Sequence, residues 1–468
     1  MLTLADILEA LTGMRLEWAS QVVTEASIDS RQVIPGSMFV ALKGEKVDGH
    51  EFVGEAFERG ANLALVQRLP PGEFRVLDLR QPFQPETIPL PEMPFCLLVP
   101  DSLAALQQIA RFWRRRLNLR VIGITGSVGK STTKELVAEV LEQRYCTLKN
   151  PGNMNNEIGL PLSMLRLSTR HEAAVLEMGF YVPGEIAFLC DLALPQVGVI
   201  TNIGTVHAER AGSQEEIARG KAELVQSLPP DGVAILNYDD PLVREMVVKT
   251  QARVLYYGLD PRAELWADQV EGLGLEGTRF RLHYHQEVLH LRIPLIGRHS
   301  VQTALRAAAV GLVEGLTWQE IVNGLRTGHA QLRLVAMRTE SGAMLLDDTY
   351  NASPESTLAA LNLLDELSGR KVAVLGDMLE LGPYERQGHE MVGVRAAEVV
   401  DELITVGELA QMIAQAAIEA GLDKEAVIHF ENVPQVIEYL KLRLDKDDIV
   451  LVKGSHGMRM DRIVAAVE

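Results

Sequence analysis

The sequence has few cysteines and no cluster of them. Cys96, Cys146 and Cys190 are the only three among 468 residues, and no C-x-x-C pair occurs. An odd number of widely spaced thiols argues against a disulfide framework and against a zinc site. It favours reduced cysteines in a cytoplasmic protein.

The sequence also lacks long runs of basic or apolar residues. No five lysines and arginines occur in succession, and the formal net charge is −18. Because nucleic-acid binding needs a basic surface, this charge argues against such a partner. No apolar run approaches the ~18 residues that span a membrane, and the stretch 1–14 is not a signal peptide. The composition therefore predicts a soluble cytoplasmic protein without membrane insertion.

The most specific motif is the glycine-rich stretch TGSVGKST. It consists of Thr125, Gly126, Ser127, Val128, Gly129, Lys130, Ser131 and Thr132. A strand-like run precedes it, and a run with apolar residues at helical spacing follows it. In this context the glycines let backbone N–H groups face an anion, the lysine reaches the β- and γ-phosphates, and the Ser131 hydroxyl binds magnesium. The motif predicts a nucleoside triphosphate site.

The apolar pattern predicts an α/β fold with three domains. With 47% hydrophobic residues, a chain of this length divides into two to four domains. We expect a small N-terminal α/β domain over 1–100, a central P-loop NTPase-like parallel-sheet domain over 101–330, and a C-terminal Rossmann-like domain over 331–468. The proline-rich stretch 70–94 is predicted to be an irregular loop.

Polar residues follow several of the predicted strands. Glu177 ends one apolar run and can bind magnesium beside Ser131, since ligands of open α/β sheets gather at strand ends. His207 follows the next run, where a structural hydrogen-bonding role is the more common one. Lys453 to His456 follow a late strand, and ordinary strand-to-helix turns explain such residues.

Lys221 allows two interpretations. It lies in the middle of an apolar helical stripe with Ile217, Leu224 and Leu228. Either its stem packs while the ammonium reaches water, or the lysine is held inward. In the second case desolvation lowers its pKa and leaves a reactive neutral amine. Periodicity favours neither interpretation.

Seven motifs together resemble the Mur ligase family over the whole chain. They are TGSVGKST, GNMNNEIGLPL (152–162), LEMG (176–179), GKAEL (220–224), LLDDTYNASP (345–354), VLGDMLELG (374–382) and LVKGS (451–455). The resemblance implies an ATP- and Mg²⁺-dependent amide ligase of peptidoglycan precursor synthesis. Its small-molecule partners would be UDP-N-acetylmuramoyl-tripeptide and D-alanyl-D-alanine, joined through an acyl phosphate. We expect a monomer.

The same resemblance implies roles for individual residues. The nucleotide would be held by the loop residues 125–132 and, on closure of the last domain, by Arg333 and Asp348. Magnesium would be bound by Ser131, Glu177, His207 and a carbamylated Lys221. The other substrates would be bound by Ser30, Arg31, Lys43, Asn155, Asn156, Tyr350 and Asn351. Taken alone, Ser30 and Arg31 are more typical of a polar turn between strands than of a phosphate-binding site.

One segment departs from the family pattern, and two other assignments fit less well. The family often has G-x-H-N-x-x-N where this chain has Ser300 and Thr303, which weakens the assignment of adenine contacts to that segment. A P-loop regulatory GTPase would need an N-K-x-D motif, which is missing. A family member that adds glutamate or a diamino acid would need a D-N-P-R type of motif, also missing.

Overall fold

The computed structural model of the protein describes residues 1–44, 46–83, 90–205, 208–327 and 335–468. These residues form two compact units. The first comprises Met1–Gly123, Tyr145–Gly179 and Glu185–Gln196; the second comprises Ile124–Arg144, Phe180–Gly184 and Val197–Glu468. Within the described ranges, no helix combines the length and the apolar content that a membrane crossing requires.

The N-terminal part of the first unit is built on a parallel sheet. Its strands are β1 (Ala26–Ser27), β2 (Met38–Val40), β3 (Leu63–Val66), β4 (Val76–Asp78) and β5 (Phe95–Leu98), in the order β1-β2-β3-β5-β4. Its helices are α1 (Leu4–Thr12), α2 (Val53–Glu58) and α3 (Ser102–Arg116). The prediction of an irregular loop over 70–94 was wrong at β4, because Val76 and Leu77 pair with β5 despite the surrounding prolines.

The middle of the chain contributes strands to both units. In the second unit their order is β14-β13-β12-β11-β10-β9, and in the first unit β7 pairs with β8. The strands are β6 (Arg120–Thr125), β7 (Thr147–Lys149), β8 (Ala173–Glu177), β9 (Val197–Ile200), β10 (Val233–Asn237), β11 (Arg253–Gly258), β12 (Leu265–Gly272), β13 (Thr278–Tyr284) and β14 (Glu287–Ile293). Strands β9 to β12 are parallel, and β12 to β14 form an antiparallel meander.

The helices in this part of the chain include the two that apolar spacing predicts, one after the glycine-rich stretch and one around Lys221. The helices are α4 (Lys130–Leu141), α5 (Gly159–Leu165), α6 (Glu185–Ala193), α7 (Ala208–Ala211), α8 (Gln214–Gln226), α9 (Pro241–Arg244), α10 (Ser300–Val313) and α11 (Trp318–Arg326). The strand-loop-helix order around the glycine-rich stretch is therefore confirmed.

A six-stranded sheet forms the C-terminal part of the second unit. Its order is β15-β16-β20-β17-β18-β19, and only the β15–β16 pair is antiparallel. The strands are β15 (Val335–Arg338), β16 (Met344–Asp348), β17 (Arg370–Gly376), β18 (Glu402–Val406), β19 (Val427–Phe430) and β20 (Asp448–Lys453). The helices are α12 (Pro354–Glu366), α13 (Glu385–Val399), α14 (Gln411–Glu419), α15 (Val433–Arg443) and α16 (Asp461–Val467).

Helices cover both faces of this sheet, which explains its near-continuous apolar strands. Leu451 and Ala373 pack on one face with residues of α12, α13 and α14. Val450 and Val452, one step along the strand, pack on the other with residues of α15 and α16. Ser353 caps α12, and Pro354 is the first residue of that helix. The α/β fold is confirmed.

We expect Leu451→Ala to destabilise the protein because it leaves a cavity among fully buried side chains. The loss should be about 2–5 kcal/mol, visible as a lower urea midpoint of unfolding. Leu442→Ala is the matched control, since Leu442 is 92% exposed, and it should change stability by less than about 0.5 kcal/mol. Equal shifts for both variants would contradict this assignment of the core.

Candidate active site

The glycine-rich loop connects the end of β6 to the start of α4. Gly126 has a φ of +146° and Gly129 a φ of +82°, both in the region that favours glycine. A Cβ on Gly126 would lie 1.9 Å from the Thr201 hydroxyl oxygen. Gly129 caps the N-terminus of α4, so the first-turn N–H groups of that helix face the loop.

The segment after β9 holds this loop in place. The Thr201 hydroxyl donates to the Val128 carbonyl at 2.7 Å, and the Asn202 side-chain oxygen accepts from the Val128 N–H at 2.9 Å. The Ser127 hydroxyl accepts from the Gly204 N–H at 2.8 Å. These bonds fix the loop before any ligand arrives, which is the preorganisation that anion binding benefits from.

Two lysines donate to one carbonyl of the loop. Lys130 Nζ lies 2.8 Å from the Gly126 carbonyl oxygen and 3.1 Å from that of Ser127. Lys221 Nζ, from α8, lies 3.0 Å from the same Gly126 oxygen. The loop therefore gathers two amino groups at the position where its motif predicts a triphosphate.

Lys221 is held inward, and the interpretation in which its ammonium reaches water is wrong. Its side chain is 1% exposed, and Nζ lies 4.8 Å from the centroid of the Phe180 ring. The neighbouring Gly220 admits that ring, because a Cβ there would lie 2.0 Å from a ring carbon. Burial, followed by repulsion from Lys130, lowers the pKa of Lys221 well below its ordinary value.

Glu177 lies in the first unit, buried at the carboxyl end of β8. The Asn155 amide donates to its Oε1 at 2.9 Å. The fully buried Asn150 side chain bonds both backbone groups of Glu177, at 2.9 and 3.1 Å. Asn150 was not predicted to be a site residue. Its position just before the GNMNNEIGLPL motif was the only sequence feature that could have indicated it. The Asn156 side-chain oxygen instead accepts from the Gly159 N–H, at the first residue of α5, at 2.9 Å.

The carboxyl ends of the paired strands β16 and β20 are joined by an ion pair whose lysine is buried. Lys453 Nζ lies 2.6 Å from the Asp348 carboxylate and donates to the Asn351 carbonyl at 2.9 Å. Because Lys453 is buried and ion-paired, an ordinary strand-to-helix turn does not explain its position. Tyr350 is exposed, and its ring lies 6.2 Å from that of His456.

The remaining predicted site residues are distributed as follows. In the first unit, the Ser30 hydroxyl donates to Glu55 at 2.9 Å, and Arg31 forms a two-bond pair with Asp29 while staying exposed. Lys43 is exposed. His207 and Arg333 lie outside the described residues.

Family models match most of the chain. The Mur ligase middle domain matches residues 124–311, and the Mur ligase glutamate ligase domain matches 332–456. The catalytic domain of the Mur ligase family matches 22–75.

Relatives and solved structures agree with these models over the full length. The chain is 36% identical to UDP-N-acetylmuramoyl-tripeptide–D-alanyl-D-alanine ligase of Bacillus subtilis, covering 99% of this chain and 97% of that one. It is 33% identical to the ligase of the same name from Escherichia coli, over 100% and 98%. MurF from Acinetobacter baumannii superposes with a TM-score of 0.82 at 31% identity, covering 99% and 98%. MurF from Thermotoga maritima, solved with ADP, gives a TM-score of 0.77 at 28% identity, covering 98% of each. The chain belongs to the Mur ligase family.

Proposed function

We propose that this protein is an ATP-dependent ligase that joins D-alanyl-D-alanine to UDP-N-acetylmuramoyl-tripeptide, giving ADP, phosphate and the pentapeptide precursor of peptidoglycan. The observation that carries the proposal is full-length similarity to ligases of that name, in a chain whose phosphate-binding loop gathers Lys130 and Lys221. We further propose that it works as a cytoplasmic monomer.

ATP binding follows from the loop. Lys130 bonds two loop carbonyls, and a β- or γ-phosphate oxygen is a stronger partner for its ammonium. The residue set also fits Mg²⁺, because the Ser131 hydroxyl and the Glu177 carboxylate are hard oxygen donors. These two residues would hold the ion together with His207, and the ion would supply charge neutralisation at the γ-phosphate.

Lys221 is proposed to act as a carbamate. A neutral amine adds to carbon dioxide, forming a C–N bond and releasing one proton, and burial favours the neutral form of this amine by lowering its pKa. The product is an anion in place of a cation. Beside Lys130 such an anion would be stabilised, whereas a second ammonium is repelled.

The reaction itself is phosphoryl transfer followed by acyl transfer. An oxygen of the peptide's terminal carboxylate attacks the γ-phosphorus, and ADP leaves. The dipeptide amine then attacks the acyl carbon, loses a proton and expels phosphate. Because water destroys an acyl phosphate, the site must exclude solvent during these steps.

Each predicted domain has a part in this scheme. Residues 1–100 would bind the uridine diphosphate group through Ser30, Arg31 and Lys43. In the central domain 101–330, Asn155 and Asn156 would lie on the substrate side. Residues 331–468 would close over the nucleotide with Arg333 and Asp348, and bind the dipeptide near Tyr350 and Asn351.

An acceptor panel tests the proposed function. Phosphate release from ATP is measured with UDP-N-acetylmuramoyl-tripeptide and, in separate reactions, D-alanyl-D-alanine, glutamate or a diamino acid. We expect phosphate release only in the reaction whose acceptor is D-alanyl-D-alanine. Lys130→Ala and Glu177→Ala, purified in parallel, should release none, which controls for contaminating ATPases. Turnover with an amino acid and none with the dipeptide would assign the chain to another reaction of the family.

We expect Lys221→Ala to lower turnover about 100-fold or more, because it removes the proposed carbamate anion from the reacting site. A short carboxylic acid in solution should partly restore the rate. Lys221→Arg should be as slow as the alanine variant, since arginine stays charged and forms no carbamate. Lys249→Ala, which removes an exposed lysine, is the control. Near-normal turnover of Lys221→Arg would rule out the carbamate.

A further inference from the structure

A buried arginine lies beside the phosphate-binding loop. Arg306, in α10, is 3% exposed. Its Nη2 lies 3.3 Å from the position that a Cβ on Gly129 would occupy. The guanidinium therefore touches the loop at the residue that caps α4, close to Lys130.

The hydrogen-bond partners of Arg306 are neutral. Nη2 donates to the Thr303 hydroxyl at 2.7 Å, and Nη1 donates to the Tyr257 hydroxyl at 3.3 Å. Burial raises the pKa of Tyr257, so its phenol stays uncharged. The Arg306 Nε–H is buried and has no acceptor among the residues that the structure describes.

Nearby carboxylates are engaged elsewhere. Asp239 accepts from the Leu259 N–H at 2.8 Å and from the Gln302 side chain at 3.1 Å. Asp240 accepts from the Ile203 N–H at 2.8 Å. In the described ranges, no carboxylate forms an ion pair with Arg306. A buried guanidinium without a counter-ion is unfavourable. The presence of Arg306 at this position therefore points to an anionic ligand that binds there.

We propose that Arg306 binds a phosphate oxygen of the nucleotide at the loop, beside Gly129. This inference rests on the proposed use of ATP and adds a binding residue to that site. Guanidinium groups pair with phosphates through two parallel N–H bonds, and the unused Nε–H leaves a donor for such a pair. Thr303, one of the departures from the family pattern, holds the guanidinium in position.

The test is nucleotide binding by Arg306→Met, measured calorimetrically with ADP and with adenosine. We expect the Kd for ADP to rise about 10- to 100-fold, the range for a charge-assisted hydrogen bond, and that for adenosine to stay unchanged. The KM for ATP should rise, while the KM for D-alanyl-D-alanine stays constant. Arg326→Met, which removes an exposed arginine from the same unit, should change neither.

Thermal unfolding separates a binding role from a structural one. A buried cation without a counter-ion destabilises the ligand-free protein, so Arg306→Met should keep or raise the ligand-free Tm and shrink the Tm increase caused by ADP. A lower ligand-free Tm with an ADP Kd within twofold of the original would overturn the proposal.

Thr303→Val gives a second variant that keeps the side-chain shape. It should raise the ADP Kd about threefold or more by freeing the guanidinium. If Arg306→Met does not fold, this variant decides, and an unchanged Kd overturns the inference. Failure of the unmodified protein to bind ADP would remove the proposed ATP use itself, which is a different result.

Discussion

The structure depends on one backbone carbonyl that accepts from two lysines. The Gly126 oxygen lies within 3.0 Å of both Lys130 Nζ and Lys221 Nζ. This geometry requires Gly126, because a side chain there would overlap Thr201. Burial, followed by repulsion from the Lys130 ammonium, lowers the pKa of Lys221 and favours its neutral form. A loop conformation thus determines the chemistry of a residue on another helix.

Two other glycines, Gly220 and Gly129, allow close packing around the same loop. Gly220 lets Phe180 lie against α8, and Phe180 closes Lys221 away from water. Gly129 lets the Arg306 guanidinium approach the loop. Removing water from the Arg306 guanidinium would strengthen its interaction with an incoming phosphate, whereas removing water from Lys221 favours the neutral amine. The close packing of backbone and ring atoms around the loop therefore controls the electrostatic environment of Lys221 and Arg306 as well as filling space.

Sequence patterns predicted the local structure well and the long-range partners poorly. Periodicity identified the strand 120–125, the helix after it and the apolar stripe of Lys221. It could not decide where Lys221 points, since the deciding Phe180 is distant in sequence. The Asp348–Lys453 pair was likewise hidden, because it joins the ends of two neighbouring strands that are distant in sequence. The strand β4 was missed because prolines flank it; pairing with β5 outweighed the local signal.

The central claim is that the carboxylate of the sugar-peptide is activated as an acyl phosphate by ATP held at the Gly126 loop. The most direct measurement uses UDP-N-acetylmuramoyl-tripeptide labelled with ¹⁸O in its terminal carboxylate. The attacking carboxylate oxygen stays on phosphorus when the amine displaces phosphate. Mass spectrometry should therefore find one ¹⁸O in each phosphate released with D-alanyl-D-alanine. Phosphate free of ¹⁸O, accompanied by normal peptide formation, would contradict the account.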